Sequence, residues 1–100
     1  YSLFGHQLVL HEDKNYEGLK HFNEVDGKSV PIPHFGVVLK WKVFHTFSQK
    51  LIDKKILFQI APYIRFEGLA GEQLTMFFYD PSGNALEFKS FKNIDQLFTA

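Results

Sequence analysis

The sequence predicts an α+β domain whose best-patterned part, from His34 onward, runs β-α-β-β-β. Three observations predict it. Apolar residues alternate along His34 to Lys40 (HFGVVLK), and the spacing then becomes helical over residues 41–54 (WKVFHTFSQKLIDK). Further on, Leu74 to Tyr79 and Ala85 to Phe91 are rich in strand formers. They flank Asp80-Pro81-Ser82-Gly83-Asn84, which has the residues a short hairpin turn demands. A helix between the first two strands, followed by a meander, leaves one face of the sheet under that helix.

In chain order, Leu3 to His11 reads as a strand entered by a bend at Gly5. His11 to Pro33 is polar. Asp26-Gly27 is a turn signal and Pro31-x-Pro33 forbids helix, so residues 12–32 read as a linker with room for a short helical turn. A connection this long usually separates structural units. In the helix, Phe44, Phe47, Ser48 and Leu51 share one face, and Lys54 and Lys55 suit the negative end of the dipole. Leu57 to Ile60 reads as a strand with an edge or bend at Pro62, and Gly68 to Gly71 as a loop.

Composition narrows the function classes. Hydrophobic residues make up 45% and charged residues 22%, the balance of a globular chain. Twelve phenylalanines imply an aromatic core, with an apolar ligand cavity as the competing use. Lys+Arg and Asp+Glu are 11 each, so nothing argues for nucleic acid as a partner. With no cysteine, disulfides and thiolate zinc sites are excluded, and any metal must be held by His, carboxylate or water. A cytoplasmic setting fits. No apolar stretch approaches the ~20 residues that span a bilayer, so no membrane partner is expected. The sequence opens at Tyr1 inside an expected strand, which suggests residues upstream.

Strand parity divides the sheet into two faces. Phe35, Val37 and Leu39 lie together, as do Leu74, Met76 and Phe78, and Leu86 and Phe88; these should pack on the helix. The other parity carries His34, Gly36 and Val38, then Gln73, Thr75, Phe77 and Tyr79, then Ala85, Glu87 and Lys89. That face mixes polar and apolar groups, as a cavity wall does.

A repeat is also visible. FGHQLVLH (Phe4–His11) aligns with SGNALEFK (Ser82–Lys89), pairing Gly5 with Gly83 and Leu8 with Leu86. On this reading residues 1–11 end a preceding module, 12–32 link, 33–91 form a βαβββ module and 92–100 are a tail. Around that tail Phe91, Ile94, Leu97 and Phe98 read as an apolar flap docking on the domain or on a partner chain.

Two segments, VPIPHFGVVL (Val30–Leu39) and MFFYDPSGNALEFKSF (Met76–Phe91), carry a family resemblance. The chain resembles the vicinal oxygen chelate superfamily, which includes glyoxalase I, extradiol dioxygenases, methylmalonyl-CoA epimerase, and fosfomycin- and bleomycin-resistance proteins. The resemblance implies the glyoxalase/bleomycin-resistance/dioxygenase fold, in which two βαβββ modules pair around a half-open, metal-lined barrel, here expected within a homodimer. His34 matches the first-strand ligand of the second module and Glu87 its last-strand carboxylate. A third ligand would come from the first strand of the other module. The set suits Fe, Mn, Ni or Zn, whose open positions would take two neighbouring oxygens of a small-molecule substrate. Where the earlier copy should repeat Glu87 it has Val9, which departs from glyoxalase I. His11, two residues on, is a further metal candidate, or simply ends the strand.

The other candidates are substrate-binding. Tyr63 and Arg65 suit an anionic or phenolic group, against a surface ion pair for Arg65. Phe77 and Tyr79 suit an apolar pocket wall, against packing between modules. Lys89 reads as a rim charge, and His6, His21 and His45 as positions away from the site. No general base is evident, so no catalytic residue is assigned. The expected function is a metal-dependent isomerase, lyase or extradiol dioxygenase. The alternative is a metal-free binding or resistance protein of the same fold, for which His34 and Glu87 would be an ordinary strand-start histidine and a solvated carboxylate.

Overall fold

The computed structural model describes residues 2–16, 21–93 and 95. Its centre is a four-stranded sheet with one helix on one face. β5 (Phe35–Val38) leads into α1 (Trp41–Asp53), which is followed by β6 (Phe58–Arg65), β7 (Gln73–Tyr79) and β8 (Ala85–Phe91). The spatial order is β5-β8-β7-β6, with β5 parallel to β8 and the other pairs antiparallel. The expected β-α-β-β-β order is observed. Upstream lie two small hairpins: β1 (Ser2–Leu3) with β2 (His6–Gln7), and β3 (His21–Val25) with β4 (Lys28–Ile32).

Two expectations are corrected by these hairpins. The strand over Leu3 to His11 is replaced by a two-stranded turn of chain, because Phe4 and Gly5 both take positive φ and reverse its direction. The linker over 12–32 contains β3 and β4. Asp26 (φ 52) and Gly27 (φ 73) supply the pair of positive φ values that a two-residue hairpin turn of matching twist requires. Strands of five residues, one of them almost wholly exposed and the other interrupted by Pro31, carry little periodic signal, which is why the sequence reads them as linker. Ile94, Leu97 and Phe98 lie outside the described residues.

The helix-side core follows strand parity. Leu39, Phe44, Leu51, Leu74, Met76 and Phe88 are buried together, with Val37, Trp41, Phe47, Phe58, Phe78 and Leu86 packed around them. Phe35 shares their parity and is nevertheless exposed, because it opens an edge strand. Phe78 stacks on Phe88 at 5.6 Å between ring centroids, and Phe47 meets Phe88 edge-on at 4.9 Å. Phe4 also reaches this cluster, 5.4 Å from Phe47, so the first hairpin docks on the helix side.

Two local features set the cavity face. In β6 the register slips between Phe58 and Ile60 and again between Ile60 and Tyr63, across Ala61-Pro62. Ile60 and Tyr63 therefore share a face although three residues apart, and the edge position of β6 tolerates the proline. Between β7 and β8 the Asp80 carboxylate accepts from the Ser82 amide (3.0 Å), the Asn84 amide (2.8 Å) and the Asn84 side chain (2.8 Å). This self-capped turn pins the register Tyr79↔Ala85, Phe77↔Glu87 and Thr75↔Lys89.

Candidate functional site

His34 immediately precedes β5 and Glu87 is central in β8, and the two strands are adjacent. The backbones approach closely at this point because Gly36 pairs with Glu87. A Cβ on Gly36 would lie 1.5 Å from the Glu87 carbonyl oxygen, so only glycine fits. The result is His34 Nε2 at 3.3 Å from Glu87 Oε1, with side chains 31% and 16% exposed.

The other ring nitrogen explains the orientation. His34 Nδ1 is 2.9 Å from the Pro31 carbonyl oxygen, at the end of β4. A carbonyl can only accept, so Nδ1 carries a hydrogen and donates it. Nε2 then meets a carboxylate oxygen in one of two ways. Either the two share a proton, or the Nε2 lone pair is free and both atoms can bind one cation. The edge of the imidazole is closed by Phe77, whose ring stands perpendicular at 5.0 Å between centroids.

Glu87 is held on its other side. Its Oε2 accepts from Thr75 Oγ1 at 2.9 Å and lies 3.7 Å from Lys89 Nζ. Thr75 is 1% exposed, on β7 diagonally opposite Glu87. Sequence reasoning placed Thr75 on this face without assigning it a role, and read Lys89 as a rim charge. The length of the Asp80–Asn84 turn carries the missing signal, since it sets Thr75 beside Lys89 and within diagonal reach of Glu87.

The remaining candidates separate. Tyr63 pairs with Thr75 and Arg65 with Gln73, so both lie on the cavity face. Their polar ends are already engaged: Arg65 Nε and Tyr63 OH both donate to Asp26 Oδ2, at 2.6 and 3.1 Å, and Lys28 Nζ sits 4.6 Å above the Tyr63 ring. Arg65 is thus in the ion pair that competed with its substrate role. Its hydrogen bond, then that of Tyr63, holds the Asp26 carboxyl below the usual range. Burial, reinforced by the Asp26 hydrogen bond, pushes the Tyr63 phenol up. Phe77 is buried, and Tyr79 donates to Gln59 Oε1 at 3.3 Å. His11 stands exposed beyond β2; among the described residues no group of three or more His, Asp and Glu side chains converges, so His11 is not brought to His34 and Glu87. His6, His21 and His45 are exposed.

A histidine anchored through Nδ1 to a backbone carbonyl, with Nε2 turned to a tethered carboxylate, is a donor pair suited to a divalent ion. His34 Nε2 and Glu87 Oε1 would hold it, and the anchors on Pro31 and Thr75 would orient them.

No protein-family model matches the chain, and no curated protein gives a significant match. A solved structure does. The crystal structure of a glyoxalase/bleomycin resistance protein/dioxygenase from Alicyclobacillus acidocaldarius matches with a TM-score of 0.70 and 31% identity, over 95% of this chain and 67% of that one. The chain belongs to the glyoxalase/bleomycin resistance protein/dioxygenase family. The family name spans two kinds of enzyme and a resistance protein, so membership accounts for the βαβββ fold and leaves the chemistry to be argued from the site. Among the described residues of this family member, no helix is long and apolar enough to cross a membrane.

Proposed function

We propose that the chain is a metal-dependent enzyme of this family, acting on a small molecule through two neighbouring oxygens. The observation that carries the reading is the His34–Glu87 pair, because Nδ1 is committed to Pro31 and Nε2 is thereby turned to the Glu87 carboxylate as a second donor beside it. A bound Fe, Mn, Ni or Zn ion would supply Lewis-acid polarisation of the substrate oxygens. The chain's own residues orient the two donors, and the buried side chains of Phe77 and Ile60 make that part of the sheet apolar. Isomerase, lyase and dioxygenase chemistry all remain within this reading. The site is completed, on the same proposal, by a second module, with a homodimer and a cytoplasmic setting as its simplest form. Exposed Phe35 and Val38 on the free edge of β5 support such pairing.

One observation favours a metal-free binding protein instead. The Lys89 ammonium lies 3.7 Å from Glu87 and offsets its charge without any ion. Metal analysis separates the two. Protein purified without chelator is assayed for Fe, Mn, Ni and Zn beside His34→Ala and Glu87→Ala. The enzyme reading expects bound metal in the parent and its loss in both variants. Parent protein that holds no metal, and takes up none when it is added, overturns the reading.

A further inference from the structure

Resting on the metal reading, we propose that Thr75 is a positioning residue: its hydroxyl ties down one oxygen of Glu87, so that the carboxylate meets a cation beside His34 through the other oxygen alone. The terminal torsion of a glutamate is broad and roughly two-fold, so an untethered carboxylate offers either oxygen, or both together. Here the two oxygens have different surroundings. Oε2 accepts from Thr75 Oγ1 at 2.9 Å and has the Lys89 ammonium at 3.7 Å, while Oε1 alone faces His34 Nε2 at 3.3 Å.

Thr75 is well built for this. It sits on a central strand of the sheet, is 1% exposed, and is β-branched, so its hydroxyl can neither turn to solvent nor swing freely. The neighbouring cavity-face positions on the strand, Gln73 and Phe77, are buried as well, which leaves the Thr75 hydroxyl facing Glu87 across the β7–β8 pair. A Glu87 that gives one oxygen uses one coordination position of an ion rather than two. More positions are then left for a ligand that itself brings two oxygens.

The competing account is that Thr75 merely satisfies its own buried hydroxyl, which predicts an effect on stability and none on coordination. Cobalt(II) binding to the full chain distinguishes them, since its visible absorption reports both affinity and ligand arrangement. Thr75→Val keeps the shape and removes the donor, and Thr75→Ser keeps the donor. We expect Thr75→Val to bind Co(II) about 10- to 100-fold more weakly, the range for loss of an outer hydrogen bond to a ligand, with altered absorption bands. Thr75→Ser should restore both. Circular dichroism of the metal-free proteins verifies folding, and Thr75→Ala carries the comparison should Thr75→Val not fold. A folded Thr75→Val with parental affinity and spectrum overturns the positioning role while leaving the metal reading standing. So does a Thr75→Ser that behaves like Thr75→Val. A parent chain that binds no Co(II) overturns the metal reading, and the positioning role with it.

Discussion

Replacing Gly36 with alanine tests the close approach on which the site depends. An added Cβ would lie 1.5 Å from the Glu87 carbonyl oxygen and 2.6 Å from its carbon, both backbone atoms that no side-chain rotation can move. Ordinary contact between such atoms is roughly 3.4 Å or more, so β5 and β8 must part by about 2 Å, which breaks the hydrogen bonds flanking the Gly36–Glu87 pair. Two or three backbone bonds at a net ~1 kcal/mol each make the cost about 2–3 kcal/mol. For a domain of this size each kcal/mol lowers the melting temperature by roughly 4–8 °C, so a drop of about 8–24 °C is expected. Urea unfolding and a thermal melt, each followed by circular dichroism, measure it. On the proposed metal reading, metal binding should fall in parallel, because Glu87 moves with its backbone while His34 is held by Pro31. A Gly36→Ala protein within about 0.5 kcal/mol of the parent, the scatter of neutral surface changes, would refute the reasoning.

Three further outcomes are expected. Phe44, 1% exposed in the centre of the helix–sheet core, should cost about 3–5 kcal/mol when cut to alanine. A urea midpoint close to that of the parent would show that α1 does not pack as described. Asp26→Asn removes the charge that ties the β3–β4 hairpin to Arg65 and Tyr63, so amide hydrogen exchange over residues 21–32 should quicken while β7 and β8 keep their protection. The same link sets an acid response. Because the folded Asp26 pKa is depressed, its contribution is present above the unfolded value of about 3.9 and is lost as pH falls through the folded one. Hairpin amides should therefore loosen on acidification in the parent and show no such step in Asp26→Asn.

The parts legible in the sequence are those where one physical rule acts alone. The change from two-residue to helical spacing at residue 41 locates α1, and the same parity puts Leu74, Met76 and Phe88 under it. The Asp80–Asn84 turn is legible because each of its residues has a local reason to be there. By contrast, β3 is missed because it is polar and almost wholly exposed, and β4 because five residues interrupted by Pro31 are too short to show a pattern. The first strand is over-extended because a chain reversal at Phe4-Gly5 looks, in sequence, like a bend.

The site divides in the same way. Alternation along each strand, with the apolar set of each turned to the helix, already puts His34 and Glu87 together on the opposite face of the sheet. The lack of cysteine likewise excludes thiolate and leaves histidine, carboxylate or water to hold any metal. Only the tertiary structure decided what completes the pair. The anchor on His34 is local, the Pro31 carbonyl three residues back, but the tether on Glu87 is a threonine twelve residues away on another strand. Asp26, which engages Arg65, is brought in from thirty-nine residues away. Such partners carry no periodic signature, because they are set by which strands lie side by side and in what register, and distances in space of that kind are not written in local spacing.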